Sequence, residues 1–485
     1  MDLNEIIQLR KDKLEALKAK GVAPFGRALP GRVEIKEAVA NFQEGAKVVV
    51  SGRLTAKRGH GKVIFCDLRD GSGRIQLYLK SDELGQEKFS LLDSLEVADF
   101  ICVTGEFFMT HTGEPTVKVA DFIVLSKALR PLPEKFHGLK DLETRYRQRY
   151  LDLASNEEVR NIFLLRAGVI RSIRAALDAA GFLEVETPMM HDIPGGAAGR
   201  PFKTFHNEYG MELYMRIAPE LYLKRLLVGG FDKVYEINRS FRNEGVSIKH
   251  NPEFTMLEVY EAYSDCEGMM RLSEKLITGA CQQARGGLQF EYQGKKIDMT
   301  PPWKVVSFAE LVKERFGIEP QDEEAVMLEK LKSKGFAKDK DRLTRTQINT
   351  IIEDTLEQGM SLNPTFVVDY YASLSPLAKT RPDNPLISER FELFIAGMEV
   401  GNAYSELNDP QEQRRRFEEE IKHGDGVAGN KAVDDDYITA LEHGMPQAGG
   451  LGIGIDRLVM LLSDSGSIRD VILFPLLRKL NEPQE

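Results

Sequence analysis

Arg242 and Glu244 open a polar loop that runs through His250 and Asn251 into the segment FTMLEVYEAY at residues 254–263. Period-2 alternation puts Phe254, Met256, Glu258 and Tyr260 on one face of that segment and Thr255, Leu257 and Val259 on the other. Both faces are largely apolar, as in a strand covered on both sides, so Glu258 needs a specific partner rather than water. The plain alternative is an edge strand with Glu258 in solvent. A second group, in ERFELFIAGMEVGNAYSELNDP at residues 389–410, holds Glu399, Asn402, Tyr404 and Glu406. Carboxylates suit Mg²⁺, which takes a few hard oxygens from protein and completes its octahedron with water and phosphate. In a regular strand, positions 399 and 406 point to opposite faces, so a bulge or turn near residues 401–402 is expected to bring both carboxylates to one ion. A third group, AGGLGIGIDRLVMLL at residues 448–462, sets Gly452 and Gly454 before Arg457 and an apolar helix. Its glycines would let backbone approach a ligand closely, although one Gly-rich turn is nonspecific.

These groups need a large scaffold. The chain has 485 residues, 42% hydrophobic and 29% charged, which is the composition of an ordinary globular protein of two or three domains. It has no run of 18 or more apolar residues, and its first 20 residues are charged throughout, so neither a membrane span nor a secretory signal is expected and the default location is the cytoplasm. The four cysteines, Cys66, Cys102, Cys266 and Cys281, form no C-x-x-C pair and read as core thiols. Scattered histidines argue against a transition-metal site. The net charge of −10 divides unevenly, +4 for residues 1–150 and −14 for the remainder. A slightly basic N-terminal module on an acidic body fits local nucleic-acid contact better than general polyanion binding.

Residues 1–45 read as a helical segment, with Leu3, Ile6, Ile7, Leu14 and Leu17 at helical spacing before Gly21 and Pro24. Residues 46–128 hold five strand-like runs broken by GHG, GSG and HTGEP, which predicts a small all-β Greek-key barrel. Residues 129–153 form a Pro- and charge-rich linker that leads into an Arg- and Tyr-dense helix. Residues 154–485 read as one catalytic unit. It opens on a helix, stopped at Gly181, and a short strand ending at Pro188 (164–188). A charged helical insertion spans roughly 305–363, and the run at 411–437 is a solvated helix and loop.

Together the motifs resemble the class IIb aminoacyl-tRNA synthetases, and specifically the bacterial-type lysyl-tRNA synthetases, over essentially the whole chain. Residues 164–188 resemble motif 1, the dimer interface of that family; 241–263 resemble motif 2; 448–462 resemble motif 3. The strings KFHGL and RYRQRYLDL, at 135–139 and 145–153, resemble the lysyl hinge. The resemblance implies an OB-fold anticodon-binding barrel and an α+β catalytic domain, mainly an antiparallel sheet flanked by helices. Arg242 would grip the α-phosphate of ATP and Phe254 would stack on adenine, with Glu244, His250 and Asn251 lining the nucleotide and Arg457 facing the triphosphate. Glu399 would serve both ATP and Mg²⁺, sharing the ion or ions with Glu406. Glu220, Glu258 and Glu406, with Tyr260, Asn402, Tyr404 and Gly452, would surround the amino acid, and Arg53, Phe65 and Gln76 would contact the anticodon.

The activity implied is ligation of lysine to the 3′-terminal adenosine of tRNA(Lys) by a homodimer. Diadenosine tetraphosphate is an implied side product. Carboxylates around the substrate side chain favour an ammonium, and a neutral isostere that left them unpaired would be rejected by roughly 10⁴-fold. Two rivals stay open, a paralogue that lysylates protein and a nonenzymatic tRNA-binding relative. The first usually lacks an N-terminal barrel; the second has no need of Arg242, Glu399, Glu406 and Arg457. His60 departs from the apolar residue expected in its turn. Tyr371 stands where the lysyl enzymes commonly carry proline, and is expected to alter a loop rather than the chemistry.

Overall fold

The computed structural model describes residues 2–133, 139–197, 199–337, 342–343, 345–357, 359–423 and 433–479. Most of KFHGL, part of the insertion, the centre of the run at 411–437 and the side chain of His60 lie outside the described residues. The chain divides into two compact units, Met1–Lys140 with Tyr150–Ser155, and Asp141–Arg149 with Asn156–Glu485.

In the first unit, the helix Leu3–Ala19 opens on a capping box between Asp2 and Glu5 and buries Leu14 and Leu17. Strands β1 (Lys47–His60), β2 (Val63–Arg69), β3 (Arg74–Lys80), β4 (Phe100–Met109) and β5 (Pro115–Ser126) close a barrel in the order β1-β2-β3-β5-β4. Val48, Val50 and Leu54, Ile64 and Leu68, and Ile75, Leu77 and Leu79 alternate into its core. Their neighbours in sequence therefore point outward. A bulge at Thr55, between Leu54 and Ala56, bends β1 so that it can pair with both β2 and β4. Past β5, Lys127 donates to Asp99 at 2.7 Å, with both side chains fully buried. Loss of either partner would strand a buried charge, at a cost of about 3–5 kcal/mol.

The second unit contains β6 (Leu183–Glu184), β7 (Met190–His191), β8 (Lys203–His206), β9 (Met211–Met215), β10 (Lys233–Phe241), β11 (Glu253–Ala262), β12 (Gln289–Tyr292), β13 (Lys295–Asp298), β14 (Lys304–Ser307) and β15 (Thr365–Val368). Then come β16 (Thr380–Arg381), β17 (Asn384–Ser388), β18 (Arg390–Ile395), β19 (Met398–Ser405) and β20 (Ala448–Gly454). Eight of them form one sheet in the order β14-β15-β18-β19-β20-β11-β10-β6. Its interior pairs are antiparallel, and only the outer pairs β14–β15 and β10–β6 are parallel. Helices Glu157–Ala179, Cys266–Arg285 and Ile455–Ser463 share a core with one face, in which Val169, Ile173, Leu276 and Leu458 join Leu257, Val259, Leu451 and Ile453. Truncating Leu257 to alanine would cost about 2–5 kcal/mol.

The insertion begins later than the sequence suggested, because Val305 belongs to β14 at the sheet edge. Only four residues long and paired on one side only, that strand leaves too short a pattern in the sequence. Helices Phe308–Phe316, Glu324–Ser333 and Arg345–Glu357 follow, around a separate cluster that includes Phe308, Phe316 and Ile352. Tyr371 is buried in that cluster, edge-on to Phe308 at 5.4 Å, and donates to the Ile318 carbonyl at 3.2 Å. It fastens the insertion to the sheet rather than merely reshaping a loop.

Candidate active site

The open face of the sheet floors a cavity of about 1440 Å³. Of β11, Phe254, Met256, Glu258 and Tyr260 line it, while Leu257 and Val259 face the core. The period-2 reading holds for these six residues, while Thr255, expected on the core side, also lines the cavity. At one end, Arg242 lies just past β10 with its guanidinium 5.2 Å from the centre of the Phe254 ring. Among the described residues its Nε is buried without a partner, as is Oδ1 of Asn251, so both polar atoms are open to a ligand. Burial lowers the Arg242 pKa from the ordinary arginine value, with Glu399 and Glu244 acting in the opposite direction. Arg457, at the start of the helix after β20, donates to the Glu399 carbonyl at 2.7 Å, lies 3.2 Å from its carboxylate, and reaches His250 at 3.1 Å. Burial and then Arg457 lower the His250 pKa, which favours the neutral imidazole.

The opposite end is buried and acidic. Glu258 is 6% exposed, and Tyr260 donates to it at 3.0 Å. Burial, ahead of the charge of Glu220, pushes the Glu258 carboxyl up to about 8. Among the described residues no lysine, arginine or histidine pairs with it. Glu220, in the first turn of the helix Glu220–Val228, accepts from Tyr404 at 2.6 Å and from Lys224 at 2.6 Å. Lys224 also pairs with Glu406, which is fully buried and does not line the cavity. Burial opposes charge on Lys224, but Glu220 and Glu406 outweigh it and hold its pKa above the ordinary lysine range. A Cβ on Gly450 would sit 1.8 Å from Glu406, so only glycine fits against that carboxylate. One on Gly452 would meet Met256 at 3.2 Å.

The structure does not bring Glu399 and Glu406 to one ion. A bulge does interrupt β19, at Val400, since Leu393 pairs with Gly401 and Phe394 with Glu399. It puts Glu399 on the cavity side with Asn402 and Tyr404. Yet Glu399 lines the cavity and Glu406 does not, and a rise of about 3.3 Å per residue sets their Cα atoms roughly 20 Å apart, far beyond a shared metal. The expectation considered which face each side chain takes and overlooked axial distance. The acidic neighbour of Glu399 is Glu392 on β18, which also lines the cavity. Arg390 lies 2.5 Å from Glu392, Tyr370 donates to it at 2.8 Å, and Arg390 reaches Asn402 at 3.1 Å. Burial raises the Glu392 pKa, and after the opposing Arg390 the charges of Glu399 and Glu353 raise it further.

Other residues that the motifs did not reveal hold the site together. Asp456 accepts from the Thr255 backbone at 2.7 Å and from Arg166 at 2.5 Å, while Arg166 also donates to Thr255, so one arginine of the long helix ties motif 3 to β11. Buried Arg216 neutralises Glu236 at 2.7 Å, opposite Glu258 across β10 and β11. Glu220 and Lys224 stand four apart on a helix, a spacing that could have signalled their pairing. Glu392 stands seven before Glu399, but an isolated spacing of that kind carries little signal.

On the barrel, Phe65, Gln76 and Arg53 lie on the outer face of β2, β3 and β1. Phe65 is half-buried against Tyr78 at 5.2 Å, and Tyr78 meets Phe108 at 5.5 Å, which makes an aromatic row. Gln76 is oriented by Glu114 at 3.1 Å and Thr116 at 3.1 Å. Arg53 lies over the Phe100 ring at 4.4 Å.

Residues 141–478 match the family model of class II tRNA synthetases (D, K and N), and residues 48–125 match that of the OB-fold nucleic acid binding domain. The chain belongs to the class II tRNA synthetases. Among its relatives, a protein named lysine–tRNA ligase from Carboxydothermus hydrogenoformans is 51% identical, over 98% of this chain and 99% of its own length. One of the same name from Pelotomaculum thermopropionicum is 51% identical over 98% and 96%, and one from Thermoanaerobacter pseudethanolicus is 48% identical over 99% and 97%.

Proposed function

We propose that this chain activates L-lysine with ATP and transfers it to the 3′-terminal adenosine of tRNA(Lys). The observation that carries this reading is the single cavity with an arginine–aromatic clamp at one end and the carboxylates Glu220 and Glu258 at the other. Phe254 and Arg242 offer a stacking face and a cation for adenine and the α-phosphate, and Arg457 with His250 offers donors for the distal phosphates. Glu244 and Asn251 complete that end. Glu258 and Glu220, with Tyr260, Tyr404, Asn402 and the bare backbone at Gly452, receive the amino acid.

The α-carboxylate of lysine, ionised at neutral pH, attacks the α-phosphorus in line and pyrophosphate leaves, giving lysyl-adenylate. A hydroxyl of the tRNA terminus then attacks the acyl carbon and AMP departs. The protein positions the groups and neutralises charge; no side chain acts as nucleophile. Glu392 and Glu399 fit Mg²⁺, because two carboxylates on the wall of one cavity, with the Glu392 pKa raised by burial and, against Arg390, by the charge of Glu399, suit a hard cation whose other ligands are phosphate and water. Bound there, the ion would supply electrostatic neutralisation of the triphosphate.

On this reading the outer face of the barrel, with Phe65, Gln76 and Arg53, takes anticodon bases. The enzyme works in the cytoplasm as a homodimer. Leu164, Leu183, Met190 and Phe205, all exposed on one chain, support a covered interface there. No described helix is long and apolar enough to cross a membrane. Formation of diadenosine tetraphosphate, by attack of a second ATP on the adenylate, belongs to the same proposal.

The deciding experiment is ATP–pyrophosphate exchange against each of the twenty amino acids with Mg²⁺. Exchange with lysine alone is expected, followed by charging of tRNA(Lys). Exchange with a different amino acid would overturn the assignment of Glu220 and Glu258, and none at all would favour a nonenzymatic tRNA-binding protein.

A further inference from the structure

Lys224 is a cation inside a site that the proposed reading reserves for a substrate cation. It is 0% exposed, and it belongs to the layer directly behind the cavity wall. In front of it, Glu220, Glu258, Tyr260 and Tyr404 line the cavity. Glu220 is the link between the layers, since one of its oxygens accepts from both Lys224 and Tyr404 at 2.6 Å. Behind Lys224 stands Glu406, fixed against the bare backbone of Gly450. The hydroxyl of Tyr437, close enough to feel these charges, is buried without a partner among the described residues.

Two physical roles for Lys224 predict opposite behaviour. As a mere counter-charge it weakens the field that attracts a substrate ammonium, so removing it would tighten lysine binding. As a clamp it fixes the direction and depth of Glu220, so removing it would let that carboxylate swing and would loosen binding. The geometry favours the clamp: a buried ammonium held between two carboxylates has almost no freedom, and Tyr404 fixes the same Glu220 oxygen from a second direction.

We propose that Lys224 is a positioning residue for amino-acid selectivity, which holds the Glu220 carboxylate at the depth reached by a four-methylene ammonium and not by a shorter one. The inference rests on the lysine reading of the site. Its test is exchange kinetics with L-lysine and with L-ornithine, one methylene shorter, on wild type, E406Q, K224M and K224M/E406Q. Because K224M leaves two buried carboxylates without their cation and is open to misfolding, the decisive variant is K224M/E406Q, whose two lost charges cancel relative to wild type, read against E406Q, from which it differs by Lys224 alone.

The expected result is a lysine KM at least tenfold higher in K224M/E406Q than in E406Q, with the ATP KM within twofold. The lysine-to-ornithine ratio of kcat/KM should also fall at least tenfold. A lysine KM that is unchanged or lower in the double variant, or a ratio within twofold of E406Q, overturns the clamp. A fall in kcat with both KM values and the ratio unmoved also overturns it, as a purely structural effect. If wild type itself gives no lysine-dependent exchange, the failure belongs to the reading of the site and not to Lys224.

Discussion

The two ends of the cavity use the same residue, glutamate, to opposite effect. At the amine end, Glu220 and Glu406 share one cation, Lys224, while buried Glu258 has none among the described residues. At the phosphate end, Glu392 and Glu399 stand among Arg242, Arg390 and Arg457. The first group holds one cation of its own and is open to a second from the substrate, and burial, ahead of the charge of Glu220, raises the Glu258 pKa. The second has guanidinium groups in number and suits a polyanion brought in with a hard metal. The difference shows that a carboxylate acquires its role from its counter-charges and its access to water, not from its side chain.

The comparison predicts graded losses. Removing the guanidinium with Arg242→Ala should lower kcat/KM for exchange by about 10³-fold, the scale of losing a principal transition-state donor. A loss of less than tenfold would place the α-phosphate elsewhere. Glu258→Gln should lower kcat/KM for lysine by about 10²-fold and leave the ATP KM unchanged, on the scale of a hydrogen bond to a charged group. Equal losses in both KM values would mean that the two ends are not separate sites.

The raised pKa of Glu258 gives that variant a pH signature. A folded-state value of about 8 against 4.5 unfolded means that the folded protein binds the extra proton. The contribution is therefore fully present below pH 4.5 and is lost as pH rises through about 8. The apo protein should melt at falling temperature across that window, and Glu258→Gln should flatten the slope. The lysine KM should improve as pH rises toward 8, where Glu258 ionises while the ε-ammonium, near 10.4, stays charged. A pH-independent KM between 6 and 8 would remove Glu258 from contact with the ammonium.

Chelation of Mg²⁺ should abolish exchange, and Glu392→Gln should raise the Mg²⁺ concentration for half-maximal rate by about tenfold, whereas Glu406→Gln should not move it. The reverse pattern would restore the pairing of Glu399 with Glu406. The smallest expected effect is that of Phe65→Ala. Exchange should stay within twofold of wild type while tRNA charging weakens by about tenfold, as expected for loss of one base-stacking face. Equal loss of both steps would show that the barrel face does not serve tRNA alone.

Much of this was legible in the sequence because it depends on local period and spacing. Alternation along 254–260 assigned every side chain but Thr255 to cavity or core, and turn signals marked the barrel strands between 47 and 126. Val305 was misplaced because a four-residue edge strand, paired on one side only, shows too short a pattern. The bulge on β19 was expected near 401–402 and lies at Val400. Its consequence for Glu399 was right, but the distance to Glu406 was not, since alternation reports direction and not reach.

The chain's own order of residues thus determined the family motifs, the strands that carry them, and which residues share a face, all of which follow from a backbone that repeats every two or 3.6 residues. Only the tertiary structure decided the partners. Lys224 takes Glu220 and Glu406, Glu392 rather than Glu406 neighbours Glu399, and Arg166 joins Asp456 to Thr255. Those pairings join residues as far as 290 apart in the chain. Burial makes them matter: in a low-dielectric interior an ion's behaviour depends on the charges within a few ångströms, and no local pattern encodes which distant residue will stand there.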